Sequence, residues 1–186
     1  MDSIYIKKVL SGDTDAFRYF VNNYKDFAFS LSYSIVKDKY LAEECIQESF
    51  IKSFEKLADF RQDSKFQTWL GRIVINESLG KIKSSKRDFI CVDEISEDDI
   101  QCVESTLQSI VKKEQKFYIS SVFELLPPKE SLVLELFHIK EYSIKEITEI
   151  TGWSISKIKM LLVRGRKKFY EELKNVFEIN VKEILI

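Results

Sequence analysis

Six cations, Lys157, Lys159, Arg164, Arg166, Lys167 and Lys168, fall within Ser154–Lys168, and no acid interrupts them. Ammonium and guanidinium groups at this density suit a polyanion, above all the phosphates of a nucleic acid. A second set mixes charge with rings: Lys65, Phe66, Trp69, Arg72, Asn76 and Lys81. Unpaired bases can stack on rings while cations hold the backbone, so this mixture suits an opened single strand. A ring stripe at helical spacing is also the mark of a core, and Phe66 and Trp69 are expected to pack inward. Covalent chemistry finds no comparable set. There is no glycine-rich phosphate loop and no HExxH, and His138, the single histidine, has no evident nucleophile partner. Cys45, Cys91 and Cys102 form no CxxC pair, so the expectation is no enzyme, no cofactor and no metal.

The net charge of −1 conceals these cations. Between Asp88 and Val111 lie Asp88, Asp93, Glu94, Glu97, Asp98, Asp99 and Glu104, with no Lys or Arg among them. Before this stretch, Lys65, Arg72, Lys81, Lys83, Lys86 and Arg87 face Glu77 alone, and far beyond it comes the cationic run already described. Two basic segments therefore flank an acidic one, and their charges cancel only in the total.

Helices must position these groups, because only five glycines and two prolines interrupt 186 residues. Ala16, Phe17, Phe20, Tyr24, Phe27, Ala28 and Leu31 recur at steps of three and four, as do Leu41, Cys45, Ile46, Ser49, Phe50, Phe54 and Leu57. A third helix is expected around Phe66 to Leu79, after the polar loop Ala58–Lys65. Residues 84–112 lose the periodicity and read as a linker. In the second block, Pro127-Pro128 suits a helix start and Leu132, Val133, Leu136 and Phe137 form its stripe.

The sharpest local pattern is Tyr142–Phe169. Ser143-Ile144-Lys145-Glu146 has the spacing of a capping box, and Gly152 suits the turn that ends a short helix. A second helix follows, with Ile155, Ile158, Leu162, Gly165 and Phe169 on one side. Its other face presents Ser156, Lys157, Met160, Arg164 and Lys167, the early members placed for base edges and the later cations for phosphates. Two short helices joined at a glycine, the second basic, are a helix-turn-helix signature, although a solvated helical hairpin has the same local pattern. The fold class expected is all-α: two small helical domains, residues 1–83 and 115–186, joined by an acidic linker at 84–114. No apolar run approaches the ~20 residues that span a bilayer, and the start MDSIYIKKVLSGD has no signal-peptide core, which points to the cytoplasm.

Three segments, AEECIQESFIKSF (42–54), FRQDSKFQTWLGRIVIN (60–76) and LPPKESLVLELFHIKEYSIKEITEITGWSISKIKMLLVRGRKKF (126–169), together resemble the sigma-70 family of RNA polymerase sigma factors. The short chain, with regions two and four alone, is similar to its extracytoplasmic-function group. The resemblance implies a protein that binds core RNA polymerase and directs promoter recognition, DNA opening and transcription initiation. Under it, Glu44, Gln47, Glu48 and Lys52 would contact the clamp coiled coil of the β′ subunit. Lys65, Phe66, Trp69, Arg72 and Asn76 would meet the minus-ten element, and the recognition helix the minus-thirty-five element, with region four also on the β flap. The linker resembles the connector that threads toward the RNA exit channel, and a partner anti-sigma factor is typical of the group. Four positions depart from the family's pattern: Gly80 and Lys83 stand where an aspartate and an arginine are common, Lys157 for threonine and Leu161 for arginine. Gly80 leaves the end of the third helix open. Leu161, at the border of the two faces, either packs or touches a thymine methyl.

Overall fold

The computed structural model describes residues 1–88 and 118–184, and among them no strand occurs. The acidic linker expected at 84–114 therefore lies outside the described residues beyond Asp88, as do Cys91 and Cys102. In chain order the helices are α1 (Asp2–Leu10), α2 (Arg18–Val36), α3 (Lys39–Glu55), α4 (Phe66–Asp88), α5 (118–125), α6 (Pro128–Leu134), α7 (Ile144–Thr151) and α8 (Ile155–Ile184). Their limits follow from local chemistry. Asp13 caps the 3-10 turn before α2 by accepting from the Ala16 N–H, and Asp38 caps α3 by accepting from that of Leu41 at 2.6 Å. Lys37 ends α2 in the left-handed conformation at φ 61°.

Helices α2, α3 and α4 form the first bundle. Phe20, Leu31, Ile35, Phe66, Leu70 and Ile75 are its largest sealed side chains. Rings dominate one end: Phe66 lies 4.2 Å from Phe20, 5.4 Å from Tyr24 and 5.6 Å from Trp69, centroid to centroid. The other end is narrow enough for serine. Ser49 returns its hydroxyl to the Cys45 carbonyl and Ser53 to that of Phe50, while Ser78 donates to Val74 and approaches Ser32 at 2.9 Å. Small side chains that satisfy themselves on helix carbonyls let the three backbones approach without an orphaned polar group. Helix α1 is fastened across this bundle by Asp2, whose carboxylate accepts from Tyr19 at 3.0 Å and Tyr24 at 2.7 Å.

Helix α4 does not stop at Gly80 but continues to Asp88, five residues into the segment expected to be linker. A Cβ at Gly80 would meet nothing within 4 Å, so the glycine lies on an open face and costs only helix propensity.

The second bundle is α5, α6, α7 and α8, with a widened π turn at Glu135–Ile139 carrying α6 toward α7. Pro128 occupies the first turn of α6 as its missing N–H favours. At Gly165 a Cβ would lie 3.0 Å from Leu134 Cδ1, so the glycine is what allows α8 to lie close on α6.

The two bundles also touch each other. Ser30 of α2 donates to Glu135 at 2.5 Å, Tyr33 to Glu124 at 3.2 Å, and the Lys37 ammonium donates to Ser131. Burial pushes the Glu135 carboxyl upward and the Lys37 ammonium down to about 8, against the opposing pull of Glu135 and Glu124. The packed chain thus releases the Lys37 proton near pH 8, whereas the unfolded chain keeps it until about 10.5. Unfolded protein binds the extra proton in that window, so stability gains a rising contribution from pH 8 to 10.5. Thermal midpoints measured across this range are expected to fall less steeply for the wild type than for Lys37→Gln.

Candidate polymerase and nucleic-acid surfaces

On the outer side of α3 and α4 the structure gathers Glu44, Gln47, Glu48 and Lys52 into one polar strip. Glu44 and Gln47 are exposed, and Glu48 and Lys52 are half-buried. The Lys81 ammonium from α4 lies 2.6 Å from Glu44 and 3.4 Å from Glu48, and Lys52 lies 2.5 Å from Glu77. Donating to these carboxylates holds both ammonium groups above their ordinary range. Lys81 therefore belongs to this strip and not to the ring-and-cation set with which the sequence groups it. Glu77 and Lys81 were both missed as members; their i,i+4 spacing on one face of α4 was the available signal.

The set at 65–76 is divided by the structure. Phe66 is 1% exposed and sealed among Phe20, Tyr24, Phe60 and Trp69, so the expected base contact is corrected to a core position. Its ring is the centre of a cluster and has no free face to offer a base. Trp69 is half-buried and tilted against Phe60 at 5.0 Å. Lys65, Arg72 and Asn76 are exposed. Gln62, in the loop before α4, holds a left-handed φ of 58° and borders a cleft of about 310 Å³ with Lys65, Phe60 and Tyr24.

The helix-turn-helix is built from both ends of α7. Ser143 accepts from the Glu146 N–H, and the Glu146 carboxylate accepts from the Ser143 N–H at 2.9 Å, so the capping box closes. These bonds hold the Glu146 carboxyl below its ordinary range. Gly152 ends the helix at φ 71°, a conformation a side chain would strain. Ser154 then caps α8 by accepting from the Lys157 N–H. Ile147, Ile150, Ile158, Leu161 and Leu162 are buried. Leu161, only 4% exposed, packs; it is no base contact. Ser156, Met160, Arg164 and Lys167 share the exposed outer face, with Lys157 half-buried at its start. The Lys157 ammonium lies 4.1 Å from the centre of the Trp153 ring, a cation–π contact. Desolvation and the nearby Lys129 lower its pKa. Trp153 was missed by the sequence reading, although its place four residues before Lys157 was visible. Among the described residues no group of three or more potential metal ligands comes together.

Residues 20–88 match the family model for Sigma-70 region 2, and residues 116–169 match that for Sigma-70, region 4. The ECF RNA polymerase sigma factor SigW of Bacillus subtilis is 30% identical over 179 residues, covering 92% of this chain and 96% of that protein. The chain belongs to the sigma-70 family. Its relatives place it in the extracytoplasmic-function group. The RNA polymerase sigma-H factor of Pseudomonas aeruginosa is 27% identical over 174 residues, 89% of this chain and 90% of that one. Among solved structures, the sigma factor RpoE of Bartonella quintana, bound to the anti-sigma factor NepR, superposes with a TM-score of 0.66. It shares 20% identity and covers 85% of this chain and 96% of its own, a likeness of fold alone. As a sigma factor the chain binds core RNA polymerase and directs promoter recognition and transcription initiation, and it is not an enzyme. Among the described residues no helix is long and apolar enough to cross a membrane.

Proposed function

We propose that the three surfaces divide the work of a sigma factor between named residues. The strip of Glu44, Gln47, Glu48 and Lys52, braced by Lys81 and Glu77, docks on the β′ clamp coiled coil. Lys65, Trp69, Arg72 and Asn76 meet the opened minus-ten strand, with Phe66 holding the ring cluster beneath them. Ser156, Lys157 and Met160 face base edges of the minus-thirty-five element, and Arg164 and Lys167 face its phosphates. The observation that carries this reading is the outer face of α8, where cations stand exposed on one side of a helix whose other side is sealed. An apolar hollow of about 460 Å³, lined by Phe123, Leu134, Ile139, Phe169 and Tyr170, gives region four a separate seat for the β flap. The units run over residues 1–83 and 115–186 with 84–114 as connector, and the protein works in the cytoplasm. An anti-sigma factor, of the kind bound to the Bartonella relative, would act by covering these surfaces.

Assembly with core polymerase tests the division. The double variant Glu44→Lys with Gln47→Ala is expected to lose at least about tenfold in affinity for core polymerase on a native gel, since an interfacial charge reversal costs several kcal/mol. Arg164→Ala with Lys167→Ala should assemble normally. Equal loss in both would remove the assignment of the α3 strip.

A further inference from the structure

We propose that Val163, with Met160 beside it, reads the C5-methyl groups of thymines in the minus-thirty-five duplex, so that part of the promoter preference is apolar. The inference rests on the assignment of α8 as the recognition helix and adds Val163, to which that assignment gives no role. Val163 is 66% exposed, and Met160, three residues before it, is 42% exposed. Neither the core nor the helix accounts for the valine. The sealed side of α8 is formed by Ile158, Leu161, Leu162 and Gly165, and Val163 lies outside it. A β-branched side chain is also a poorer helix former than the alanine, lysine or arginine that a solvated face ordinarily carries. A residue that serves neither packing nor propensity marks a place to look for function.

Its neighbours on the helix decide what can cover it. Residues three, four and seven apart share a face, so Val163 stands among Ser156, Lys159, Met160 and Lys167, all exposed. Arg164 follows it directly and is exposed as well. An apolar protein surface laid here would strip water from three cations and give them no partner. A nucleic-acid duplex suits every member of the set: phosphates meet the cations, and base edges meet the two apolar side chains. In the major groove, the apolar mark on a base edge is the thymine methyl.

The two side chains fit that mark in different ways. Valine in a helix keeps one χ1 rotamer about 90% of the time, so its methyls are aimed before the DNA arrives. Methionine is flexible and polarizable, and adapts to whatever lies next to that contact. Side chains three apart have Cβ atoms about 5–6 Å from each other, and successive bases of one strand rise about 3.4 Å, so the pair reaches neighbouring thymines. Leu161 shifts the balance the same way. It stands where the family commonly has an arginine and it is buried, so α8 presents no guanidinium there to read a guanine.

Holoenzyme selection from a random minus-thirty-five library supplies the test promoter, and thymine should recur at neighbouring positions in it. Each thymine, on either strand, is then replaced by deoxyuridine, which removes the methyl and leaves the hydrogen-bonding edge intact. Wild-type holoenzyme should lose about fourfold in affinity at one or two neighbouring positions, the change expected for one buried methyl group. Val163→Ala favours the helix, so its fold is kept. That variant should bind the thymine promoter as weakly as the wild type binds the deoxyuridine one, and should not respond to the replacement. Cytosine against 5-methylcytosine at the same position repeats the comparison on a different edge: methylation should tighten the wild type and leave the variant unchanged. Selected elements without recurrent thymine would overturn the proposal, as would a wild type indifferent to deoxyuridine at every position. A Val163→Ala variant that keeps the full deoxyuridine penalty also overturns it, because another residue then reads the methyl. Scrambling the whole minus-thirty-five element separates the two levels. If wild-type affinity survives scrambling, the assignment of α8 fails and the proposal with it; if scrambling is costly and methyl removal is not, the methyl reading alone fails.

Discussion

Phe66→Ala is expected to unfold region two, with a stability loss of about 3–5 kcal/mol read from denaturant or thermal melts. The ring is 1% exposed and meets four others, so truncation leaves a cavity in the most aromatic part of the bundle. A loss of that size is a large share of the ~5–15 kcal/mol that holds an ordinary domain together. Phe66→Leu, which keeps most of the apolar bulk, should cost less than Phe66→Ala and retain promoter opening. This pair separates the core role from a base-stacking role. A ring that stacked on a base would lose opening with either substitution, and the leucine variant would be folded but inactive.

Arg164→Ala with Lys167→Ala should abolish most promoter-directed transcription while leaving the fold and polymerase assembly intact. Both side chains are exposed on α8, and Lys167 has only a 4.0 Å ion pair with Glu171 to lose. Surface pairs of this kind contribute little to stability. If each cation neutralises one phosphate, the slope of log affinity against log salt should shrink by about two, measured for holoenzyme on promoter DNA. Preference among minus-thirty-five sequences should stay as it was, because phosphates carry no sequence. Lys157→Ala is the informative contrast. It should alter preference as well as affinity, and a uniform loss would move Lys157 from the base-reading group to the phosphate group.

The helix-turn-helix was almost wholly legible in the sequence because its limits are set locally. Ser143, Glu146 and Gly152 act within a few residues of themselves, and the structure shows the cap and the turn that their spacing implies. Leu161 was not decided by periodicity, since it stands at the edge of the apolar stripe. Packing beneath α8 decided it. The end of α4 stayed open for a different reason: after Gly80 the polar residues give no apolar rhythm, yet the helix continues to Asp88. Phe66 presented a real ambiguity, because a ring beside cations reads the same whether it faces a base or four other rings. The packing of α7 on α4 was not legible at all. Arg72 and Glu149 lie 77 residues apart, and a guanidinium meeting a backbone carbonyl leaves no mark on the side-chain pattern.

Every assignment above descends from one claim, that the chain converts core RNA polymerase into a promoter-specific enzyme. Run-off transcription tests it most directly, with purified core polymerase, this protein and a library of genomic promoter fragments. The expected result is a set of new transcripts that start at defined positions, appear only when the protein is added, and mostly disappear with Arg164→Ala and Lys167→Ala. A transcript pattern unchanged by saturating protein would contradict the account.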